Sequence, residues 1–311
     1  MRSCARVRRI RLLALLLAAA PLPAAADVLV RLTPEVTAGG GWGSAIFVGD
    51  SGNGGWQSHV TPGLGVDVSF SPVVKLLSGY RYTWSRYGAG GGSQLHDAGL
   101  TLRLRLSRAI DVDLLGALDH ATYAGIETGD ATTPPATSTL GLEAGPLLRW
   151  RLAPHTTAEA GLVAGARRND VGGGARVDES NQLGTLALVH RFSSFFEGSV
   201  RYRHERNRTA AALWSYDGDG AQVAAAWVPL GELLLRAQAG VAWNRFEART
   251  DRYVWTGASA SLPVAPSTTA EVSWTYGHNA VVDDGGLQWE GIAGTRHVVW
   301  TGLRVELPWW L

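Results

Sequence analysis

Sulfur-containing side chains are almost absent from this 311-residue chain, which has one cysteine, Cys4, and one methionine, Met1. Beyond the first few residues, this absence excludes a disulfide framework, a thiol nucleophile and a cysteine-based zinc site. Cys4 precedes the apolar run near the amino terminus, whereas the lipidated cysteine of a lipoprotein lies at the cleavage point after such a run. We therefore expect no lipid anchor.

Lysine is nearly absent too, because Lys75 is the only one and the other basic residues are arginines. The whole chain has 28 basic and 27 acidic residues, but five of the arginines lie between residues 2 and 11. The remainder has an acidic excess and no stripe of basic side chains of the kind that nucleic acid binding requires. We expect no nucleic acid partner.

Long apolar runs are also missing, and the run at residues 12–20 is too short to cross a bilayer as a helix. It follows the arginine cluster, Pro21 and Pro23 break it, and the alanines at 24–26 provide small residues for cleavage. This order is typical of a secretory signal peptide. We predict a signal peptide over residues 1–26 and one mature domain over residues 27–311.

The mature chain instead shows alternation of apolar and polar residues, in segments of roughly ten residues that suit a tilted transmembrane strand. At 100–106, for example, leucine occupies every second position, with threonine and arginine between. Each such segment has one apolar face and one polar face. The pattern predicts an all-β fold, a single antiparallel transmembrane β-barrel of about 14 strands. The predicted strands are 28–38, 60–70, 76–86, 95–106, 110–122, 137–151, 156–167, 181–192, 195–206, 220–228, 233–246, 251–262, 268–279 and 296–307.

The connections between these segments alternate in length, as they do in outer-membrane barrels. Short turns are predicted at 71–72, 107–109, 153–155, 193–194, 229–231 and 263–267. Longer loops are predicted at 39–59, 87–94, 123–136, 168–180, 207–219, 247–250 and 280–295. An even strand count with both termini on the short-turn side fits the same architecture.

Aromatic residues favour the two ends of the predicted strands, where interfacial girdles would lie. Those towards the longer loops are Trp42, Trp56, Trp84, Tyr87, Trp214, Tyr216, Trp243, Trp255, Trp274, Tyr276 and Trp289. Those towards the short turns are Trp150, Trp227, Trp309 and Trp310. A soluble barrel with core aromatics is the alternative, but it leaves too many apolar faces without a partner.

The last strand, residues 300–307, is similar to the carboxyl-terminal signal that the barrel-assembly machinery reads in bacterial outer-membrane barrels, although the chain continues through 308–311. More narrowly, residues 249–253, 270–276 and 296–307 resemble the fourteen-strand barrel of the surface lipoprotein assembly modifier family. This chain lacks the helical repeat domain that normally precedes that barrel. The resemblance therefore implies the architecture and not the export activity.

If the apolar faces meet lipid, the polar faces line the interior of the barrel. Arg103 and Arg105 oppose two aspartates across a short turn, and Arg149 and Arg151 oppose Glu159. Such cross-strand pairs stabilise a sheet by about 0.2–1 kcal/mol each. The predicted pore-lining residues are Arg81, Arg103, Arg105, Asp111, Asp113, Glu143, Arg149, Glu159, Glu197, Arg201, Arg203, Arg236, Glu271 and Arg304.

Other motifs do not point to a chemical site. The glycine runs at 39–41 and 90–92 are outside any strand–loop–helix unit and are interpreted as flexible external loops, not phosphate loops. The Asp- and Gly-rich segments at 50–54, 217–220 and 283–286 lack the closing glutamate of a calcium loop and are interpreted as turns. No nucleophile and base have catalytic spacing. We expect no catalytic residue, no metal and no cofactor.

These features together predict a protein of the cell outer membrane that allows passive diffusion of ions or small polar solutes. Two alternatives remain, an export conduit for a surface protein or polysaccharide and a non-conducting structural or adhesion barrel whose charges close the lumen. The expected partners are outer-membrane lipid, lipopolysaccharide and, during biogenesis, the barrel-assembly machinery. A monomer and a small homo-oligomer are both compatible with the sequence.

Overall fold

The computed structural model describes residues 28–44, 55–88, 91–124, 136–171, 175–210, 214–283 and 294–310. In these ranges the chain forms one antiparallel sheet in which each strand pairs with the next along the chain. The first strand also pairs with the fourteenth, so the sheet closes into a barrel. This confirms the predicted fold class and strand count. No helix in the described ranges is long and apolar enough to cross a membrane. The predicted signal peptide lies outside the described residues.

All fourteen predicted strands are present, because period-two alternation over about ten residues is a signal that each strand carries by itself. They are β1 (Leu29–Gly43), β2 (Gly55–Ser71), β3 (Val74–Tyr87), β4 (Gly92–Arg105), β5 (Ile110–Ala124), β6 (Ser138–Ala153), β7 (Thr156–Val171), β8 (Ala175–Arg191), β9 (Phe196–Thr209), β10 (Tyr216–Trp227), β11 (Leu234–Phe246), β12 (Thr250–Ala265), β13 (Thr268–Asp283) and β14 (Gly294–Glu306). A two-residue strand, β15 (Trp309–Trp310), follows them.

Several strands are longer than predicted at the end of the barrel away from the chain termini, here called the loop end. β2 begins at residue 55 instead of 60, β8 at 175 instead of 181, and β10 at 216 instead of 220. Most outward residues of the added segments are polar, among them Ser58, Arg176, Asp178, Asp217 and Asp219, so the apolar outer face ends while the backbone pairing continues. The predicted strand ends were wrong there because ladder hydrogen bonds do not require an apolar face.

The connections confirm only part of the predicted alternation in length. At the end that holds the termini, the turn end, the connections are 72–73, 106–109, 154–155, 192–195, 228–233 and 266–267. At the loop end they are 44–54, 88–91, 125–137, 172–174, 210–215, 247–249 and 284–293. The prediction of long external loops was wrong for 88–91, 172–174 and 247–249, because the strands continue almost to the hairpin tips.

The seam between the first and last strands contains the glycine run at 39–41, which we predicted as a loop and which lies inside β1. A Cβ on Gly39 would lie 2.7 Å from the Cζ2 atom of Trp300 on β14, and one on Gly41 would lie 2.9 Å from its Cε3 atom. The missing side chains let the indole of Trp300 lie over β1. It reaches His59 of β2, and the two rings stack with centroids 4.0 Å apart. The glycines are therefore part of the barrel closure.

The carboxyl-terminal tail adds a second connection at the same seam. After Pro308 the chain forms β15, in which Trp309 pairs with Leu32 and Trp310 with Arg31 of β1. The guanidinium carbon of Arg31 lies 5.3 Å from the centroid of the Trp310 ring, within cation–π range. The residues beyond the predicted last strand thus hold the first strand at the turn end.

The outer face of the barrel is apolar over a band of bilayer height. On β6 the outward side chains run from Leu140 to Trp150, and both are exposed. Ten residues at about 3.3 Å each, tilted by about 40°, span about 25 Å. Not all predicted girdle aromatics face this way, because the register turns Tyr87, Tyr216, Trp255 and Trp310 towards the interior. Trp289 lies outside the described residues.

Candidate functional site

The interior face is identified by side-chain contacts that reach across one intervening strand. Side chains of two such strands come close together only on the concave side of a closed sheet. Nε of Arg81 on β3 donates to Oε1 of Glu35 on β1 at 2.7 Å, across β2. Nη2 of Arg167 on β7 donates to Oδ1 of Asp119 on β5 at 3.4 Å, across β6. Residues that share a face in the register with these side chains point inward. They include all fourteen predicted lining residues, whose strand pairings are continuous around the barrel.

Five of these residues form one continuous chain of ion pairs, which we call the charge ladder: Arg103, Asp113, Arg149, Glu159 and Arg201. Arg103 donates to Asp113 through Nε at 2.9 Å and through Nη2 at 3.1 Å, and Asp113 also accepts from Nη1 of Arg149. Nε of Arg149 donates to Glu159 at 3.2 Å, and Arg201 lies 3.7 Å from the same carboxylate. The ladder runs along the wall from β4 to β9 near the turn end.

Two steps of the ladder depend on the register between strands of the assembled sheet. Asp113 and Arg149 belong to different predicted turn hairpins, and the β5–β6 register brings them together. Arg201 reaches Glu159 across β8, where Ala187 pairs with both residues and leaves room for the guanidinium. Sequence reasoning found the pairs within a hairpin and missed these two, because neither lies across a short turn.

The other predicted residues have separate partners. Arg105 pairs with Asp111 at 3.3 Å, Arg304 pairs with Glu271, and Glu197 lies 3.8 Å from Arg191. Oε1 of Glu143 accepts from Asn181 at 3.1 Å. The exceptions are Arg203 and Arg236, which form no ion pair within the ranges that the structure describes. Arg151, expected opposite Glu159, donates instead to the carbonyl oxygen of Arg108.

The wall from β10 to β13 differs from the ladder wall in composition. Its inward positions between Arg236 and the loop end are mostly glycine, alanine, serine, threonine and glutamine. Tyr216 and Phe246 lie at the loop end of this surface. Two further aromatic residues interrupt it, Tyr253 and Trp255, and their rings stack with centroids 5.6 Å apart. Sequence reasoning missed both as interior residues. The signal that could have found them is the parity of their positions within β12.

The segment 217–220, predicted as a turn, lies in β10, and its two aspartates face outward. Asp217 accepts from Arg206 at 3.1 Å and from Arg208 at 2.9 Å. Asp219 accepts from Tyr202 at 2.5 Å and lies 2.9 Å from Nδ1 of His204. The glycines between them follow the strand because both neighbours hold the backbone ladder. Within the described ranges, no group of three or more His, Cys, Asp or Glu side chains could hold a metal ion. The Asp-rich segments at 50–54 and 284–286 lie outside those ranges.

Comparison with solved structures gives the same architecture. The barrel aligns with in-vitro folded OmpT, an outer membrane protein of Vibrio cholerae, at a TM-score of 0.54 and 10% identity, over 93% of this chain and all of that one. The chain has the fold of the bacterial outer-membrane β-barrels. This barrel also aligns with a deltaS2 mutant of the monoaromatic hydrocarbon channel TodX, which in Pseudomonas putida is a toluene transporter. That alignment has a TM-score of 0.50 and 12% identity and covers 91% of this barrel and 90% of TodX.

At these identities the likeness shows the fold alone. No known protein family matches the sequence of this barrel, and no curated protein matches it either. The fold implies that the outer face contacts the lipids of the outer membrane. Recognition by the barrel-assembly machinery, the oligomeric state and the resemblance to the surface lipoprotein assembly modifier barrel stay predictions.

Proposed function

We propose that this barrel is an outer-membrane channel for the passive diffusion of ions and small polar solutes. The observation that carries the proposal is that the interior ion pairs lie along the wall of the barrel and do not cross its lumen. Each pair of the charge ladder joins adjacent or next-but-one strands, so the paired side chains lie along the wall. Fourteen strands about 4.8 Å apart and tilted by about 40° form a backbone cylinder about 28 Å across. Side chains held to the wall of so wide a cylinder leave an aqueous path along its axis.

The proposed solutes follow from the chemistry of that wall. Arginines and carboxylates occur in comparable number on the interior face, and most of them neutralise each other in pairs. A paired wall repels neither sign of charge strongly and offers hydrogen bonds to uncharged solutes. We therefore propose passage of small ions of both signs and of small polar molecules.

The test is single-channel conductance of the mature protein, refolded in detergent and inserted into a planar bilayer. We expect steady current steps whose size rises in proportion to the KCl concentration, because bulk ions fill a wide aqueous path. Heat-modifiable gel mobility would establish that the inserted sample is a folded barrel. The same sample unfolded by boiling is the control and is expected to give no steps.

A folded barrel that inserts and passes no current would contradict the channel proposal. That result would favour the two alternatives from the sequence, an export conduit closed at rest or a structural barrel. Binding of a surface protein or polysaccharide to the folded barrel would then separate the export conduit from the structural barrel.

A further inference from the structure

The interior of the barrel has two unlike walls, and two arginines at the neutral wall have no carboxylate partner. On the ladder wall, Arg103 and Arg149 share Asp113. Arg203 on β9 borders the neutral surface of β10 to β13, and Arg236 on β11 lies within it. Neither forms an ion pair among the described residues. An anion in the lumen would therefore find uncompensated positive charge at this wall.

A flat aromatic surface lies beside one of these arginines. The guanidinium carbon of Arg203 lies 5.4 Å from the centroid of the Trp255 ring, and the Tyr253 ring stacks beside that indole at an interplanar angle of 18°. A guanidinium group that lies over an aromatic ring can still donate hydrogen bonds to an anion through the N–H groups at its edge. We call Arg203, Tyr253 and Trp255 the lumenal shelf.

Three glycines on neighbouring strands make the shelf flat. A Cβ on Gly240 would lie 2.2 Å from Cζ2 of Trp255, and one on Gly277 would lie 2.6 Å from the hydroxyl oxygen of Tyr253. A Cβ on Gly220 would lie 3.1 Å from Nε of Arg203. Arg203, Tyr253 and Trp255 thus each lie over a glycine, which has no side chain. The two aromatic rings therefore rest against the wall, with one face towards the lumen.

The shelf opens into a recess that follows the neutral wall. A cavity of about 440 Å³ is lined by the shelf, Gln222 and Arg296. A second cavity of about 400 Å³ continues towards the turn end and is lined by small residues, by Arg236 and by Glu197. Gln238 and Thr275 line both cavities, so the recess is continuous. The volume of the first cavity, about 440 Å³, lies within the range of small-molecule sites.

We infer that the lumenal shelf is a binding site for small aromatic carboxylates on their path through the barrel. The aromatic ring of the solute would stack on Trp255 and Tyr253, and its carboxylate would accept hydrogen bonds from Arg203. The neutral recess leads such a solute on to Arg236, the next unpaired cation on the same wall. The inference rests on the proposed channel function, because a solute reaches the shelf only through the lumen.

The test uses benzoate, its uncharged analogue benzamide and the ring-free anion acetate, titrated by calorimetry into the mature barrel folded in detergent micelles. We expect benzoate to bind about tenfold more tightly than either analogue, because only benzoate has both the ring and the charge. Arg203→Gln should remove the preference for benzoate over benzamide. Trp255→Leu should remove the preference for benzoate over acetate.

The matched control variants change residues on the outer face of β9 and β11. Arg206→Gln changes an arginine on the same strand as Arg203, and Trp243→Leu changes an outward tryptophan of β11. Both should keep the wild-type preference for benzoate. Equal affinities for benzoate and its analogues would overturn the inference, as would wild-type binding by the Arg203 and Trp255 variants.

Binding in micelles and conductance in bilayers are separate readouts, so the two proposals can fail independently. A barrel that conducts and shows no preference for benzoate retains the channel proposal and loses the shelf. A barrel that prefers benzoate and passes no current retains the shelf as a binding site and loses the channel.

Discussion

At the scale of single residues, Asp113 is the centre of the ladder wall. The residue is 1% exposed, and its carboxylate accepts from two guanidinium groups that belong to the strands on either side of it. Asp111, two residues earlier, pairs with Arg105 at 3.3 Å in a far more exposed position. Because solvent screens exposed ion pairs, the two aspartates should contribute very differently to stability.

We predict that Asp113→Asn lowers the free energy of unfolding by about 1–3 kcal/mol, because it leaves two arginines with no shared counter-charge. The half-exposed arginines keep part of their solvation, which limits the loss. The measurement is urea unfolding of the refolded barrel, followed by tryptophan fluorescence. Asp111→Asn is the matched control and should cost less than about 1 kcal/mol. Equal losses in the two variants would show that the ladder contributes nothing beyond a surface pair.

At the scale of elements, the β1–β14 seam decides whether the sheet closes. Trp300 crosses β1 only because the inward positions of that strand near it are glycines. Outward positions of the same run are not constrained in this way, since a Cβ on Gly40 would meet nothing nearer than a carbonyl oxygen at 3.4 Å. Gly39 and Gly40 are therefore a matched pair within one strand.

We predict that Gly39→Ala destabilises the barrel by about 1–3 kcal/mol, because the added methyl group displaces the indole or the β14 backbone. Gly40→Ala should change stability by less than about 0.5 kcal/mol. The measurement is the temperature at which each refolded barrel loses its compact mobility on a gel. A Gly39 variant as heat-resistant as the Gly40 variant would argue against Trp300 as a closure residue.

At the scale of the whole molecule, the balance of interior charges sets ion selectivity. The five charges of the ladder are paired, whereas Arg203 beside the neutral wall and Arg236 on it are not. Such a lumen should prefer neither sign strongly, with a small bias towards anions from the neutral wall. This expectation concerns simple salts and is independent of the lumenal shelf.

We predict a reversal potential well below the limit of about 59 mV that a perfectly selective pore would show in a tenfold KCl gradient. Arg236→Gln should move it in the cation-selective direction, because one uncompensated positive charge leaves the wall. Arg252→Gln, which changes an outward residue of β12, should leave it unchanged. A wild-type potential close to the limit would contradict the balance of charges inferred from the pairing.

Much of this barrel follows from local patterns. The alternation at 100–106 identifies β4 and its two faces, and the arginines at 103 and 105 already oppose the aspartates of β5 across one turn. What the pattern could not supply is the extent of strands such as β8, whose first outward residues, Arg176 and Asp178, are charged. It also could not show that the glycines at 39–41 belong to a strand, since glycine alone favours a loop.

The sequence by itself therefore determined the class of fold, the number of strands and the face on which each predicted lining residue lies. All of these depend on a period of two residues within a single strand. Only the tertiary structure decided that Trp255 lies beside Arg203, that Arg201 reaches Glu159 across Ala187, and that Trp300 seals the seam. These contacts join strands that are not consecutive, so they depend on the register carried around the closed sheet and on small residues in the strands between.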